Sequence, residues 1–157
     1  MLRLVTFLVP LVLIGCASPE PTAPEVPLTG SYSDDVAIQV FNGEDWEPSN
    51  VTNRLAVIER GDSLDVSLAL LFTNAHICEW HGSMTQEDGH WTSRETLDFG
   101  DERDCVLRLD VRADSLLLRD EGGVCRQAYC GARGVLDGIG FARSTRKADT
   151  SWRDDLL

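Results

Sequence analysis

Basic residues are scarce: 14 Lys+Arg stand against 26 Asp+Glu in 157 residues, for a formal charge of −12. Phosphate contacts need a Lys/Arg surplus, so no nucleic-acid partner is expected. No apolar run reaches the ~18 residues of an ordinary membrane helix. No segment keeps apolar residues at i, i+3, i+4 and i+7 for three turns, so no helix is predicted. There is no G-x-S-x-G elbow, and no nucleophile–base–orienter set can be named, so neither an enzyme nor a cofactor is expected. What is present bounds the chain from the other side. An apolar fraction of 43% is too high for a wholly disordered polypeptide. The length suits one domain rather than two.

The N-terminus carries the strongest signal. Arg3 precedes an apolar stretch at residues 4–14, the n-region and h-region of a secretory signal. The stretch is too short to cross a bilayer. It ends in Leu13-Ile14-Gly15-Cys16, which resembles the lipobox of bacterial lipoproteins. The resemblance implies that residues 1–15 are removed and that Cys16 becomes a lipidated first residue, acylated on sulfur and amine. Three acyl chains anchor far more firmly than one, at about 0.8 kcal/mol per buried CH₂. The alternative is an ordinary signal peptide that happens to end in Cys. Ala17 and Ser18 follow, not the Asp that retains such proteins at an inner membrane, so the periplasmic face of the outer membrane is expected. Loss of Arg3 takes the charge to −13, a polyanion that stands off an anionic membrane.

Residues 16–29 read as the lipidated Cys and a tether. Pro19, Pro21, Pro24 and Pro27 fall here, four of the chain's six prolines. Such spacing favours polyproline II at ~3.1 Å per residue, a reach of roughly 40 Å. Residues 144–157 are polar and aperiodic apart from Trp152, and read as a loose tail, with folding back of Trp152 as the alternative.

Between residues 30 and 143 the dominant period is two. Leu64, Val66, Leu68, Leu70 and Phe72 alternate with their neighbours, as do Cys105, Leu107, Leu109 and Val111. Leu116 and Leu118 share a face, and Arg112-Ala113-Asp114 reads as the hairpin turn before them. Leu55, Val57 and Glu59 lead into a turn at Arg60-Gly61-Asp62-Ser63. Cys78, Trp80, Gly82 and Met84 share another face. Shorter strands are expected at 30–33, 36–41, 89–94 and 135–143. Eight or nine strands, roughly, with short connections exclude parallel crossovers. The fold class is all-β: an antiparallel meander closing into a small barrel of about eight strands, with a β-sandwich as the alternative.

Setting Cys16 aside leaves Cys78, Cys105, Cys125 and Cys130, an even number that implies two disulfides in an oxidising envelope. Four cysteines allow three pairings. Only four residues separate Cys125 from Cys130, so these are expected to pair locally and leave Cys78 to Cys105. A four-ligand metal site is the rival, but its paired C-x₂₋₄-C spacing is met only at Cys125 and Cys130.

Other candidates are thin. His76, Cys78 and His81 cannot converge on one strand face, and His90 stands alone. The carboxylates Asp98, Asp101, Glu102 and Asp104 suit calcium by type but lack the EF-hand order and include Arg103. Asp34-Asp35 and Asp154-Asp155 fall in turn or tail sequence, where burial does not tune a carboxyl. Arg60-Gly61-Asp62 matches an adhesion tripeptide but reads as a turn, and Asn50-Val51-Thr52 is a sequon only in a eukaryotic secretory pathway. After Cys125 the chain runs CRQAYCGARGVLDGIGF, rich in glycine around a closing strand. Arg126, Gln127 and Tyr129 form a plausible partner-binding surface on this loop, since Tyr and Arg are enriched in hot spots.

Lipobox, Pro tether, small acidic all-β body and paired cysteines together resemble the small envelope inhibitors of bacteria, including lysozyme inhibitors built as eight-stranded barrels. Cys78-Glu79-Trp80-His81-Gly82 and the CGARG run carry the likeness within the domain. The S-G-x-K-Y signature of one such family is absent, so no inhibitory residue transfers. The resemblance implies a monomeric, lipid-anchored periplasmic binding protein, an inhibitor of a cationic envelope-attacking enzyme such as lysozyme. A calycin-like barrel carrying a small apolar ligand and a structural envelope lipoprotein are the alternatives. An open lumen favours the carrier, and a packed interior favours activity on the surface.

Overall fold

The computed structural model describes residues 27–131 and 133–156, the last three of these by backbone alone. The signal segment, Cys16 and most of the tether lie outside the described residues. Eight strands form one antiparallel sheet in chain order, rolled into a nearly closed barrel. They are β1 (Gly30–Phe41), β2 (Trp46–Arg60), β3 (Ser63–Phe72), β4 (His76–Glu87), β5 (His90–Asp98), β6 (Glu102–Val111), β7 (Ser115–Asp120) and β8 (Gly140–Ala142). The two-residue beat dictates the arrangement. Leu64, Val66, Leu68 and Leu70 of β3 point inward, as do Leu55 and Val57 of β2, Leu107 and Leu109 of β6, and Leu116 and Leu118 of β7. Tyr32, Trp80, Met84 and Phe141 fill the remaining interior. Every one of these is buried, so the barrel is packed from wall to wall.

The turns expected at 60–63 and 112–114 are present, with Gly61 at φ 68° between β2 and β3. Other boundaries differ. The stretches expected at 30–33 and 36–41 are one strand, so Asp34 and Asp35 lie mid-strand, opposite Asn53 and Thr52. β2 begins nine residues before Leu55; none of residues 46–52 is buried, so no run of core side chains marks them in the sequence. They pair with residues 35–41 as a two-stranded ribbon, while β2 meets β3 only from Arg54 onward. Buried Asn53 marks the parting, its side-chain oxygen accepting from Leu71 N at 2.8 Å.

Two seams interrupt the wall. At the first, β4 and β5 pair only through Thr85, Gln86 and Glu87, although both strands run on beyond that point. A short helix, α1 (Val124–Tyr129), lies across this opening. One and a half turns are too few to show helical periodicity, so the sequence predicts none there. The helix also overturns the expected disulfide pairing. Cys130 bonds Cys78 on β4, and Cys125 bonds Cys105 on β6. Cys125 within α1 and Cys130 just past its end point to different strands, and β5 separates β4 from β6 in the sheet. The bridges thus brace the wall where ladder hydrogen bonds are missing.

At the second seam, β8 is three residues long, not the nine expected at 135–143. The preceding residues turn instead, with Gly138 at φ 80° and its N–H donating to Leu118 O. Closure falls to the segment read as a tail. Ser31 and Lys147 exchange two backbone hydrogen bonds of 2.8 Å, and Trp152 lies beneath the Arg54 guanidinium at 6.0 Å.

Candidate protein-binding surface

The chain enters α1 through Gly122 and Gly123, both in the left-handed region at φ 76° and 69°. Buried Asp120, at the end of β7, then caps the helix from a distance: its carboxylate accepts from Cys125 N at 3.2 Å and Arg126 N at 2.9 Å. Those N–H groups would otherwise lack helical partners. Sequence reasoning missed Asp120, whose cue is only a carboxylate shortly before a double glycine.

The three residues expected to contact a partner sit on this helix. Tyr129 is half-buried and donates its hydroxyl to Glu95 on β5 at 2.6 Å. Burial first, then the Glu95 hydrogen bond and charge, push its phenol up to about 12. Arg126 donates to Gly134 O at 3.4 Å. Gln127 is exposed, accepts from Arg103 at 3.2 Å and donates to Gly123 O at 3.4 Å. Tyr129 and Gln127 thus tie α1 to β5 and β6, and Arg126 ties it to the loop that follows. A shallow cleft of about 340 Å³ opens beside Tyr129, lined by Glu79, Trp80 and His81.

The remaining candidates are scattered. Cys78 is buried in its disulfide, His81 points out from the same strand, and His76 is half-buried at its start. His90 Nδ1 lies 2.7 Å from Asp110 Oδ1. The acidic loop is closed on itself: Asp98 accepts from Gly100 N, and Arg103 pairs with Asp101 at 3.1 Å while lying over Phe99. Among the described residues no three His, Cys, Asp or Glu side chains converge as metal ligands. Arg60 of the turn tripeptide pairs with Asp65 at 3.0 Å. Asn50 is exposed on the β1–β2 ribbon.

That ribbon ends in a feature the period-two reading did not single out. Phe41 and Trp46 face each other across the hairpin with ring centroids 5.4 Å apart, yet they are 45% and 52% exposed. Asn42 orders the turn between them. Its side-chain oxygen accepts from Glu44 N and Asp45 N, both at 2.9 Å, and its amide donates to Glu47 at 2.6 Å. The ribbon is held from below by buried Ile38, and Asn74 accepts from Phe41 N at 3.3 Å.

A larger polar cleft of about 450 Å³ lies at the β1 seam, lined by Ser31, Asp35, Thr52, Arg54, Lys147 and Trp152 among others. Its acids are already engaged: Asp35 accepts from Thr52 at 2.6 Å and Asp149 from Ser151 N at 2.9 Å. The latter bond holds the Asp149 carboxyl below its ordinary value. No protein family, no curated protein and no solved structure matches this chain.

Proposed function

We propose that this is a non-enzymatic, lipid-anchored protein of the bacterial cell envelope that binds a cationic protein partner. A lysozyme-like or other envelope-attacking enzyme is the leading candidate, and inhibition the expected effect. The observation that carries the reading is the filled interior. With Leu55, Leu68, Leu70, Leu107, Leu109, Leu116 and Leu118 all at zero exposure, recognition is left to the outer surface. That surface is acidic. Several of its arginines are paired locally, as in Arg60–Asp65, Arg94–Glu87, Arg103–Asp101 and Arg108–Glu121, and the net charge is −12, or −13 once Arg3 is lost with the signal segment. Such a field steers a basic partner at low salt. Two disulfides brace the wall beside the β4–β5 opening.

The lipobox-like Leu13-Ile14-Gly15-Cys16 supports the location, with the periplasmic face of the outer membrane favoured by Ala17 and Ser18. The test is a pull-down from envelope extract with the full chain in detergent, at low and high salt. Recovery of a basic hydrolase at low salt only is the expected result. Recovery of lipid, or of nothing, at both salts would end the reading.

A further inference from the structure

We propose that the β1–β2 hairpin is the docking element, and that Phe41 and Trp46 seat in a concave, apolar-floored cleft on a basic protein. The inference rests on the binding reading above and adds to it a site and a shape.

Position comes first. Among the described residues, 36–41 and 46–51 pair only with each other, so the ribbon runs on past the β2–β3 ladder and ends in the turn at 42–45. Cross-strand partners share a face, which puts Phe41 and Trp46 in line with Gln39 and Pro48. Ile77, Phe99, Val111 and Val135 are also exposed, but on separate strands and loops, and Arg103 lies over Phe99. Scattered apolar side chains on a surface are ordinary; a paired Phe and Trp at a tip are not. Aromatic side chains bring large contact area at low conformational cost.

Charge selects the occupant. From Ser31 to Asn53 the chain carries Asp34, Asp35, Glu44, Asp45 and Glu47, and no Lys, Arg or His. Glu44, Asp45 and Glu47 stand in or beside the turn that joins the two rings. A second copy would bring the same carboxylates to the contact, and an anionic bilayer would repel them. A cationic surface is attracted by them, and a slot deep enough for two rings gives the aromatic pair its burial. The Asn42 network and the Asn74 strut hold the tip in place, so little order has to be imposed on docking.

The test measures affinity for two basic probes with the full chain in detergent: lysozyme, which has a deep cleft, and poly-L-lysine, which has none. The wild type is expected to bind both at low salt. Phe41→Ala with Trp46→Ala is expected to weaken lysozyme binding about 30-fold or more and leave poly-lysine binding unchanged. Glu44→Gln, Asp45→Asn and Glu47→Gln together are expected to weaken both and flatten the salt dependence. An unchanged thermal transition shows that the variants are folded. Wild-type lysozyme binding that survives loss of both rings overturns the hairpin assignment and leaves the binding reading standing. Binding to poly-lysine alone overturns the cleft. A failure to bind either probe overturns the assignment and the binding reading together. Self-association abolished by the double alanine variant names a second copy as occupant and overturns the proposal.

Discussion

Gly134 lies hard against the Cys78–Cys130 bridge: a β-carbon there would stand 2.5 Å from Cys78 Sγ and 2.5 Å from Cys130 Cβ. Neither neighbour can yield, because the bridge is pinned at one end by β4 and at the other by α1. The glycine therefore serves close approach. Gly134→Ala is expected to destabilise the fold by about 1–3 kcal/mol, as overpacking does. Denaturant unfolding of the oxidised protein measures it, and an unchanged midpoint would place Gly134 away from the bridge.

The crossed disulfides make a prediction of their own. A non-reducing digest is expected to join the Cys78 peptide to that of Cys130, and the Cys105 peptide to that of Cys125. Loop-closure entropy gives about 4 kcal/mol for the longer loop and about 3 kcal/mol for the shorter. Replacing each pair by alanine should cost in that order, read by the same unfolding curves.

Tyr129 supplies a pH dependence. Its phenol stands at about 12 in the folded protein against an ordinary 10.0, from burial and then the Glu95 hydrogen bond and charge. Tyr32 is raised too, mainly by burial. The folded state therefore holds these protons more tightly than the unfolded chain. Their contribution to stability is complete below pH 10 and is lost as pH rises towards 12. Phenolate absorbance should show titration delayed beyond that of the unfolded protein. Tyr129→Phe should reduce the loss and cost about 1 kcal/mol at neutral pH, through the missing hydrogen bond.

The proposed anchor depends on one thiol. Cys16→Ser is expected to move the protein from the membrane fraction to the soluble fraction and to abolish labelling by a fatty-acid analogue. Continued membrane retention of the variant would argue against lipidation at Cys16.

The parts of the fold that were legible in the sequence are those written by burial on one side. Leu64 to Leu70 and Leu107 to Leu109 alternate because one face meets the core, and β3 and β6 follow directly. Residues 46–52 were hidden for the opposite reason: none of them is buried, and the covered face of the ribbon is supplied mainly by Val36, Ile38 and Val40 of β1, so no beat marks them as strand. The disulfide pairing was illegible because it depends on α1, six residues whose place is fixed by Asp120 and by a gap between β4 and β5. Arg126, Gln127 and Tyr129 were singled out by residue type. Their internal bonds arise from tertiary neighbours, Gly134, Arg103 and Glu95, that spacing does not reveal. Phe41 and Trp46 were visible as letters, but only the register places them face to face.

The account stands on a barrel whose inside is full, leaving its work to the outside. Native mass spectrometry of the full chain, released gently from detergent, addresses this most directly. The predicted mass is that of the acylated polypeptide with two disulfides and nothing further. A stoichiometric, non-covalent apolar molecule retained by the protein would contradict it.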